Sequence, residues 1–167
     1  MKNPVLVASA VLMLIGGGMA GAQETSPVVQ NKKGVVMKGY VQDIESLAIK
    51  NDDFRQVLYT AKHCQLVLMA LKPKEEIGAE VHEKIDQFFR VEEGSGEAAI
   101  DGVRTAIRAG FAIIIPGGTN HNIINTGTVP MKLYTIYSPP NHRDGVVHHT
   151  RAEAEADNEH FDGKTTE

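Results

Sequence analysis

The feature that most constrains the fold is a succession of short apolar runs between residues 54 and 140, separated by turn signals. The runs recur about every ten residues, the spacing typical of antiparallel sandwiches and barrels. Asp101-Gly102 further predicts a two-residue hairpin turn, because both positions tolerate a positive φ. An all-β domain follows, with strands predicted at 55–60, 64–72, 77–82, 86–92, 96–101, 103–108, 111–115, 121–125 and 130–138.

Polar segments flank this predicted barrel on both sides. Residues 23–53 are expected to form a leader with one short helix over 43–49. Residues 141–167 are expected to form a polar tail with a short capped helix over 150–158 and disordered last residues. The length of 167 residues suits one domain, with the barrel at 54–140.

The first 22 residues have the pattern of a secretory signal peptide. Lys2 precedes an apolar run over residues 5–15, and Ala20-Gly21-Ala22 fits the small-residue rule for cleavage after Ala22. The alternative is an uncleaved anchor, but a membrane span needs about 20 apolar residues. We therefore expect an exported, periplasmic protein that keeps no stable membrane anchor after cleavage.

The charge balance excludes one class of partner. The chain has 17 basic and 21 acidic side chains, for a formal net charge of −4. Nucleic-acid binding needs a strongly basic field, so no nucleic-acid partner is expected. The sequence also lacks a Walker loop, a Rossmann turn and a Ser-His-Asp catalytic pattern.

Residues 110–125 carry the most specific motif, G-x5-P-x-G-x2-H-x3-N. It describes a buried strand, a tight Pro-Gly turn and a new strand that begins at His121. Because strand side chains alternate, His121, Ile123 and Asn125 share one face. The histidine is therefore predicted to lie on the interior face among apolar neighbours.

Residues 78–94 form a second chemically informative segment. Glu80 and His82 are two residues apart and are predicted to point the same way. Further along, Gln87 shares a face with Phe89 and Val91. A side-chain amide among apolar residues needs a partner, and a metal ion or a backbone amide would each supply one.

The order of these two segments resembles the cupin superfamily, whose double-stranded β-helix, or jelly-roll, barrel the resemblance implies. The second cupin motif matches in full, with His121 at a metal-ligand position. The first motif, G-x5-H-x-H-x3–4-E-x6-G, matches in part: His82 takes the second histidine, Glu80 replaces the first, and Gln87 replaces the glutamate. The chain is similar to small single-domain members described as mannose-6-phosphate-isomerase-like, a label of fold rather than activity.

The resemblance implies a divalent metal held by Glu80, His82, Gln87 and His121. Two histidines and a carboxylate suit Fe(II), and Mn, Ni, Co and Zn stay open. The Gln87 amide oxygen would be a weak fourth ligand or would hold a bound water. The alternative is a cupin without metal, whose residues form a hydrogen-bonded barrel interior.

The function stays open between two classes. One is a metal-dependent enzyme acting on a small organic molecule by dioxygenation, isomerisation or lysis. The other is a small-molecule or metal-binding protein without turnover. The possible pocket contains Phe89 and Tyr137, of which Tyr137 could orient a substrate. His63, a candidate base, or Gln65 could line the barrel mouth, but a structural or solvent-exposed role is favoured for both. His142, His148 and His149 fall in the tail and are not predicted ligands. The resemblance also implies a homodimer paired through an edge strand.

Overall fold

The computed structural model describes residues 38–166, so the expected signal peptide lies outside the described residues. Within this range two short helices and nine strands form. They are α1 (Ile44–Lys50), β1 (Arg55–Thr60), β2 (Gln65–Leu71), β3 (Asp86–Glu93), β4 (Ser95–Ile100), β5 (Val103–Arg108), β6 (Ala112–Ile115), β7 (His121–Ile124), β8 (Met131–Ser138), β9 (Val147–His148) and α2 (Arg151–Ala156). No helix in this part of the chain is long and apolar enough to span a membrane.

The strands form two antiparallel sheets that enclose one core. The larger has the order β6-β3-β8-β2-β1-β9, and the smaller has the order β5-β4-β7. The inner face of the larger sheet contributes Met69, Phe89 and Leu133, while Ala98 and Ile123 come from the smaller sheet. The predicted all-β jelly-roll barrel is thereby confirmed.

Eight of the predicted strands occur within one residue of their expected bounds. The exception is 77–82, which forms no strand. It contacts β7 through an isolated bridge between Glu80 and His121, and a second bridge joins Glu76, just before it, to Ile124. Gly78 adopts a φ of +96°, which interrupts an extended backbone. The two-residue strand β9 was not predicted, because so short a segment has no detectable alternation.

The β4–β5 hairpin needs particular residue types both in its turn and in strand β4. Asp101 and Gly102 both have positive φ values, 46° and 82°, as the predicted hairpin turn requires. Gly96 lies so close to β7 that an added Cβ would come within 2.0 Å of the Ile124 carbonyl oxygen. Only glycine therefore allows β4 to approach β7 at this point.

The helix α1 lies where the leader was expected to contain one. Its N-cap residue Asp43 accepts a hydrogen bond from the Ser46 amide. Beyond the helix, the Nζ of Lys132 on β8 donates to the Asn51 carbonyl oxygen and pairs with Asp52. These bonds attach the end of α1 to the larger sheet.

The tail is ordered against the barrel, so the expectation of disordered last residues is wrong for residues up to 166. The Thr166 amide donates to the Thr60 carbonyl oxygen at 2.9 Å, and the Phe161 amide donates to the Asn141 carbonyl oxygen. His148 of β9 pairs with Arg55 of β1. The predicted capped helix exists as α2, with Thr150 as N-cap.

Candidate metal centre

Four side chains meet inside the barrel where β7 begins. His121 is the first residue of β7, and Gln87 lies near the start of β3 with its side chain inward; both are about 1% exposed. Glu80 and His82 lie on the irregular segment 76–85. The amides and carbonyls of Glu80 and His121 pair reciprocally, each at 3.0 Å. This bridge sets the segment beside β7.

The Pro-Gly turn of the second motif holds the same segment from its other side. The Gly118 amide donates to the His82 carbonyl oxygen at 2.9 Å. The Gly117 amide donates to an Asp86 carboxylate oxygen. A Cβ at Gly117 would lie 3.2 Å from the Glu83 carbonyl oxygen, so the close approach favours glycine. The motif therefore positions His82 as well as His121.

The donor atoms of the site converge closely. Glu80 Oε1 lies 3.2 Å from His82 Nε2 and 3.4 Å from His121 Nε2. The ligand atoms of these three residues all lie within 4.8 Å of one another. Gln87 Oε1 lies 3.0 Å from His121 Nε2. The four predicted residues are thus brought together by the fold.

The contacts of the two His121 ring nitrogens indicate that a proton or a cation would stabilise this cluster. Its Nδ1 lies 3.1 Å from the Thr119 carbonyl oxygen, which can only accept, so Nδ1 carries a proton. In the neutral imidazole, the Nε2 lone pair then faces the oxygens of Gln87 and Glu80. Three acceptors meet at one point, an arrangement that a second proton or a metal cation stabilises.

His82 adds a second observation in favour of a metal. Its Nε2 is buried and has no hydrogen-bond partner of acceptable geometry, although Glu80 Oε1 is close. A buried polar nitrogen whose nearest oxygen is poorly placed for a hydrogen bond is costly. A cation between Glu80, His82 and His121 would engage it, so the donor set fits a divalent metal.

The charges of the site depend on one carboxylate. Burial raises the pKa of Glu80, but the two neighbouring imidazoles outweigh it and lower that pKa to about 2. Burial lowers the pKa of His121, yet Glu80 and the Thr119 carbonyl outweigh it and raise the pKa above its ordinary value. Glu80 is therefore ionised at neutral pH and available as an anionic ligand.

The surroundings of Gln87 orient its amide. Its Nε2 donates to Thr135 Oγ1 at 3.1 Å, which turns Oε1 towards His121. Burial raises the pKa of the adjacent Tyr137 hydroxyl, so this group stays protonated. The site is more open on its other side, where the Glu80 side chain is 29% exposed against 1% for His121.

The predicted pocket residues have different outcomes. Phe89 is fully buried, with its ring centroid 6.2 Å from that of His121. Tyr137 presents its ring edge-on to His82 at 5.7 Å. Gln65 is buried but binds the backbone of His142 instead of facing a ligand. His63 is exposed in the turn between β1 and β2, because that turn extends beyond both strands.

Sequence reasoning missed a buried group behind the site. His142 packs its ring against Tyr137 at 5.0 Å, and its Nδ1 lies 2.6 Å from Glu159 Oε1. Arg55 of β1 lies 3.8 Å from the same oxygen. The three residues are far apart in the chain and follow no shared periodicity, so no sequence pattern indicated their contact.

Comparison with known proteins identifies similar chains. The family described as "Cupin domain" matches residues 67–137. YrkC of Bacillus subtilis is 43% identical over 125 residues, covering 71% of this chain and 67% of that protein. Protein L612 of Acanthamoeba polyphaga mimivirus is 42% identical over 113 residues, covering 65% of this chain and 70% of that protein.

Solved structures show the same architecture. BH2720 of Bacillus halodurans is 43% identical, with a TM-score of 0.70 over 71% of this chain and 94% of that one. TT1209 of Thermus thermophilus is 23% identical, with a TM-score of 0.54 over 59% of this chain and 96% of that one, and shows the fold alone.

The contribution of the buried Glu159 to the free energy of unfolding should depend on pH in the acid range. Burial raises the pKa of Glu159, but His142 and the Arg143 amide outweigh it and lower that pKa to about 2. A lowered carboxyl pKa stabilises the fold above the ordinary value of 4.5, and this contribution is lost as the pH falls towards 2. Glu159→Gln should therefore lower the free energy of unfolding at neutral pH by an amount on the order of 2 kcal/mol.

The measurement is urea unfolding of both proteins at several pH values. The difference between wild type and Glu159→Gln should shrink as the pH falls from about 4.5 towards about 2. Glu155→Gln on α2 is the matched control, because that side chain is 62% exposed. A difference in unfolding free energy that stays constant through this pH range would contradict a lowered pKa of Glu159.

Proposed function

The chain belongs to the cupin family, and on this premise we propose that it binds a divalent transition metal through Glu80, His82 and His121. One observation carries the proposal: His121 Nε2 lies 3.0 Å from Gln87 Oε1 and 3.4 Å from Glu80 Oε1, while its Nδ1 lies 3.1 Å from the Thr119 carbonyl oxygen. With Nδ1 protonated, a neutral imidazole turns its Nε2 lone pair towards these two oxygens. Two imidazoles and a carboxylate suit Fe(II), Mn, Ni, Co or Zn. Gln87 is a fourth ligand or holds a bound water.

The proposed role is chemistry on a small organic molecule that enters beside Glu80. When bound, the metal supplies Lewis-acid or redox chemistry. The partly exposed Glu80 side chain leaves a path to the ligand atoms, whereas the buried His121 and Gln87 close the interior. Phe89 and Tyr137 are buried against the rings of His121 and His82, and the Tyr137 hydroxyl is protonated. A dioxygenase, isomerase or lyase reaction is compatible with these groups.

A non-catalytic binding protein is the second candidate. Among the described residues, the side chains next to the ligands on their buried side include Gln87, Thr135 and Tyr137, which are neutral. General acid–base catalysis needs a group that titrates near the working pH. Their neutrality favours binding of a metal or small molecule without turnover.

Export is part of the proposed function. The pattern of residues 1–22 supports it: a basic start, an apolar run and a small-residue cleavage site. On this proposal the protein acts in the periplasm, where its metal and small-molecule ligand are taken from outside the cytoplasm.

The proposal includes a homodimer formed on the outer face of the larger sheet. Five residues in register cross five strands of this face: Tyr59, Leu66, Ile136, Phe88 and Ile114. Four are partly buried, and Ile114 on β6 is 70% exposed. Among the described strands, β6 lies at the edge of the sheet. A second copy would cover both the apolar row and the backbone of this edge.

The metal proposal is tested by elemental analysis of purified residues 23–167. We expect about one metal ion per chain, because the three ligand atoms define one coordination centre. His82→Ala and His121→Ala should each lose most of the metal, since two ligands hold a divalent ion weakly. His63→Ala, which removes an exposed histidine, is the matched control and should retain it.

The identity of the bound metal would then narrow the choice among dioxygenase, isomerase and lyase reactions. Two results would contradict the metal proposal. Wild-type protein from metal-supplemented cells that contains no stoichiometric metal would overturn the assignment. Equal metal content in wild type and both histidine variants would likewise place the ion elsewhere.

Export is tested by expressing the full chain in a bacterium and sequencing the N-terminus of the periplasmic protein. We expect the mature chain to begin at Gln23, because cleavage after Ala22 satisfies the small-residue rule. Ala22→Leu should block cleavage and leave the protein in the membrane fraction. An intact N-terminus in the cytoplasmic fraction would contradict the proposal.

The dimer is tested by sedimentation of wild type, Ile114→Glu and Val103→Glu. Ile114→Glu places a charge in the apolar row and should convert the dimer to a monomer. Val103 is 67% exposed on β5 of the smaller sheet, so the same substitution there should leave the dimer intact. A monomeric wild type, or dissociation by Val103→Glu alone, would be inconsistent with this surface.

A further inference from the structure

The position of the His82 ring depends on packing rather than on regular backbone. His82 lies on the irregular segment 76–85, where no strand fixes its side-chain direction. Its backbone is held by the Gly118 amide. Glu80 Oε1 lies 3.2 Å from its Nε2, and two rings pack against it: Tyr137 lies edge-on at 5.7 Å with an interplanar angle of 82°, and His121 lies at 5.7 Å. The Tyr137 ring therefore limits where the His82 ring can lie.

The Tyr137 ring is bounded in turn by the tail. His142 meets it edge-on at 5.0 Å with an interplanar angle of 88°. Both side chains are buried, with exposed fractions of 2% and 5%. Without the His142 ring, a void beside Tyr137 would let its ring move away from His82.

His142 is itself held at both its backbone and its ring. Gln65 Nε2 donates to the His142 carbonyl oxygen at 2.7 Å, and Gln65 Oε1 accepts from the His142 amide at 2.9 Å. The ring Nδ1 bonds Glu159 Oε1, and the other Glu159 oxygen accepts from the Arg143 amide at 2.7 Å. The Glu159 side chain is only 2% exposed. The buried side chains of Gln65 and Glu159 therefore hold the backbone and the imidazole of His142.

We propose that His142 is a positioning residue of the metal centre, which fixes the ligand His82 through the ring of Tyr137. The C-terminal tail, by this inference, completes the site from behind. The metal consequence rests on the proposed function, whereas the positioning of His82 does not. Partners that orient a ligand from outside the coordination shell typically change metal affinity 10–100-fold when removed.

Two substitutions separate the ring contact from the hydrogen bond. His142→Asn keeps a donor for Glu159 close to the place of Nδ1 but removes the ring that meets Tyr137. His142→Phe keeps a ring against Tyr137 but removes the donor. His149→Asn is the matched control, because His149 lies in the same tail with a side chain 72% exposed.

The first readout uses metal-free protein. The ring nitrogen and proton signals of His82 are recorded by NMR, with thermal unfolding as the check that each variant is folded. His142→Asn should shift or broaden the His82 signals, while His142→Phe and His149→Asn should leave them near those of wild type. A purely structural role for His142 would lower the melting temperature without changing these signals.

The second readout is the affinity for Co²⁺ and the visible spectrum of the bound ion. His142→Asn should alter the spectrum and raise the Kd by about 10-fold, the lower end of that range, because His142 acts on His82 only through Tyr137. His142→Phe should keep both close to wild type. Unchanged His82 signals and Kd in His142→Asn would overturn the inference, as would loss of affinity in His142→Phe alone. If wild type binds no Co²⁺, the metal proposal fails, and the metal-free NMR result decides the positioning of His82.

Discussion

The reciprocal backbone bridge between Glu80 and His121 is the interaction on which the site depends. Its two hydrogen bonds, each 3.0 Å long, attach an irregular segment to the start of β7. The bridge places a carboxylate from the segment beside an imidazole from the strand. Without it, Glu80 would no longer be fixed beside His121, although the Glu76–Ile124 bridge would still join the segment to β7. The second motif reinforces this attachment through the Gly118 amide.

The site departs from the usual cupin arrangement in a way that keeps its charge. Glu80 stands where the resemblance places a histidine, and Gln87 stands where it places a glutamate. One carboxylate therefore remains, moved from β3 to the loop. Because Glu80 is more exposed than Gln87, the anionic ligand lies on the open side of the site and a neutral amide lies at its closed side.

Most of the fold and the identity of the site residues were predictable from the sequence. Strand alternation placed Gln87, Phe89 and Val91 inward, and the motif placed His121, Ile123 and Asn125 on one face; all six are buried. The alternatives left open by the sequence concern side chains whose partners are distant in the chain. His63 and Gln65 were possible mouth residues with a structural or exposed role favoured, and His63 is exposed while Gln65 binds a backbone 77 residues away.

The amino-acid sequence by itself determined the strand positions, the hairpin turn and the residue types of the site, because alternation, turn propensity and motif spacing are local properties. Only the tertiary structure decided that residues 77–82 bridge β7 without forming a strand, and that the tail packs against the barrel. It also decided that Glu159 bonds His142 and that the His142 ring packs against Tyr137. These contacts join segments far apart in the chain, and their stability comes from burial and hydrogen bonding in the folded state, which leaves no periodic pattern in the sequence.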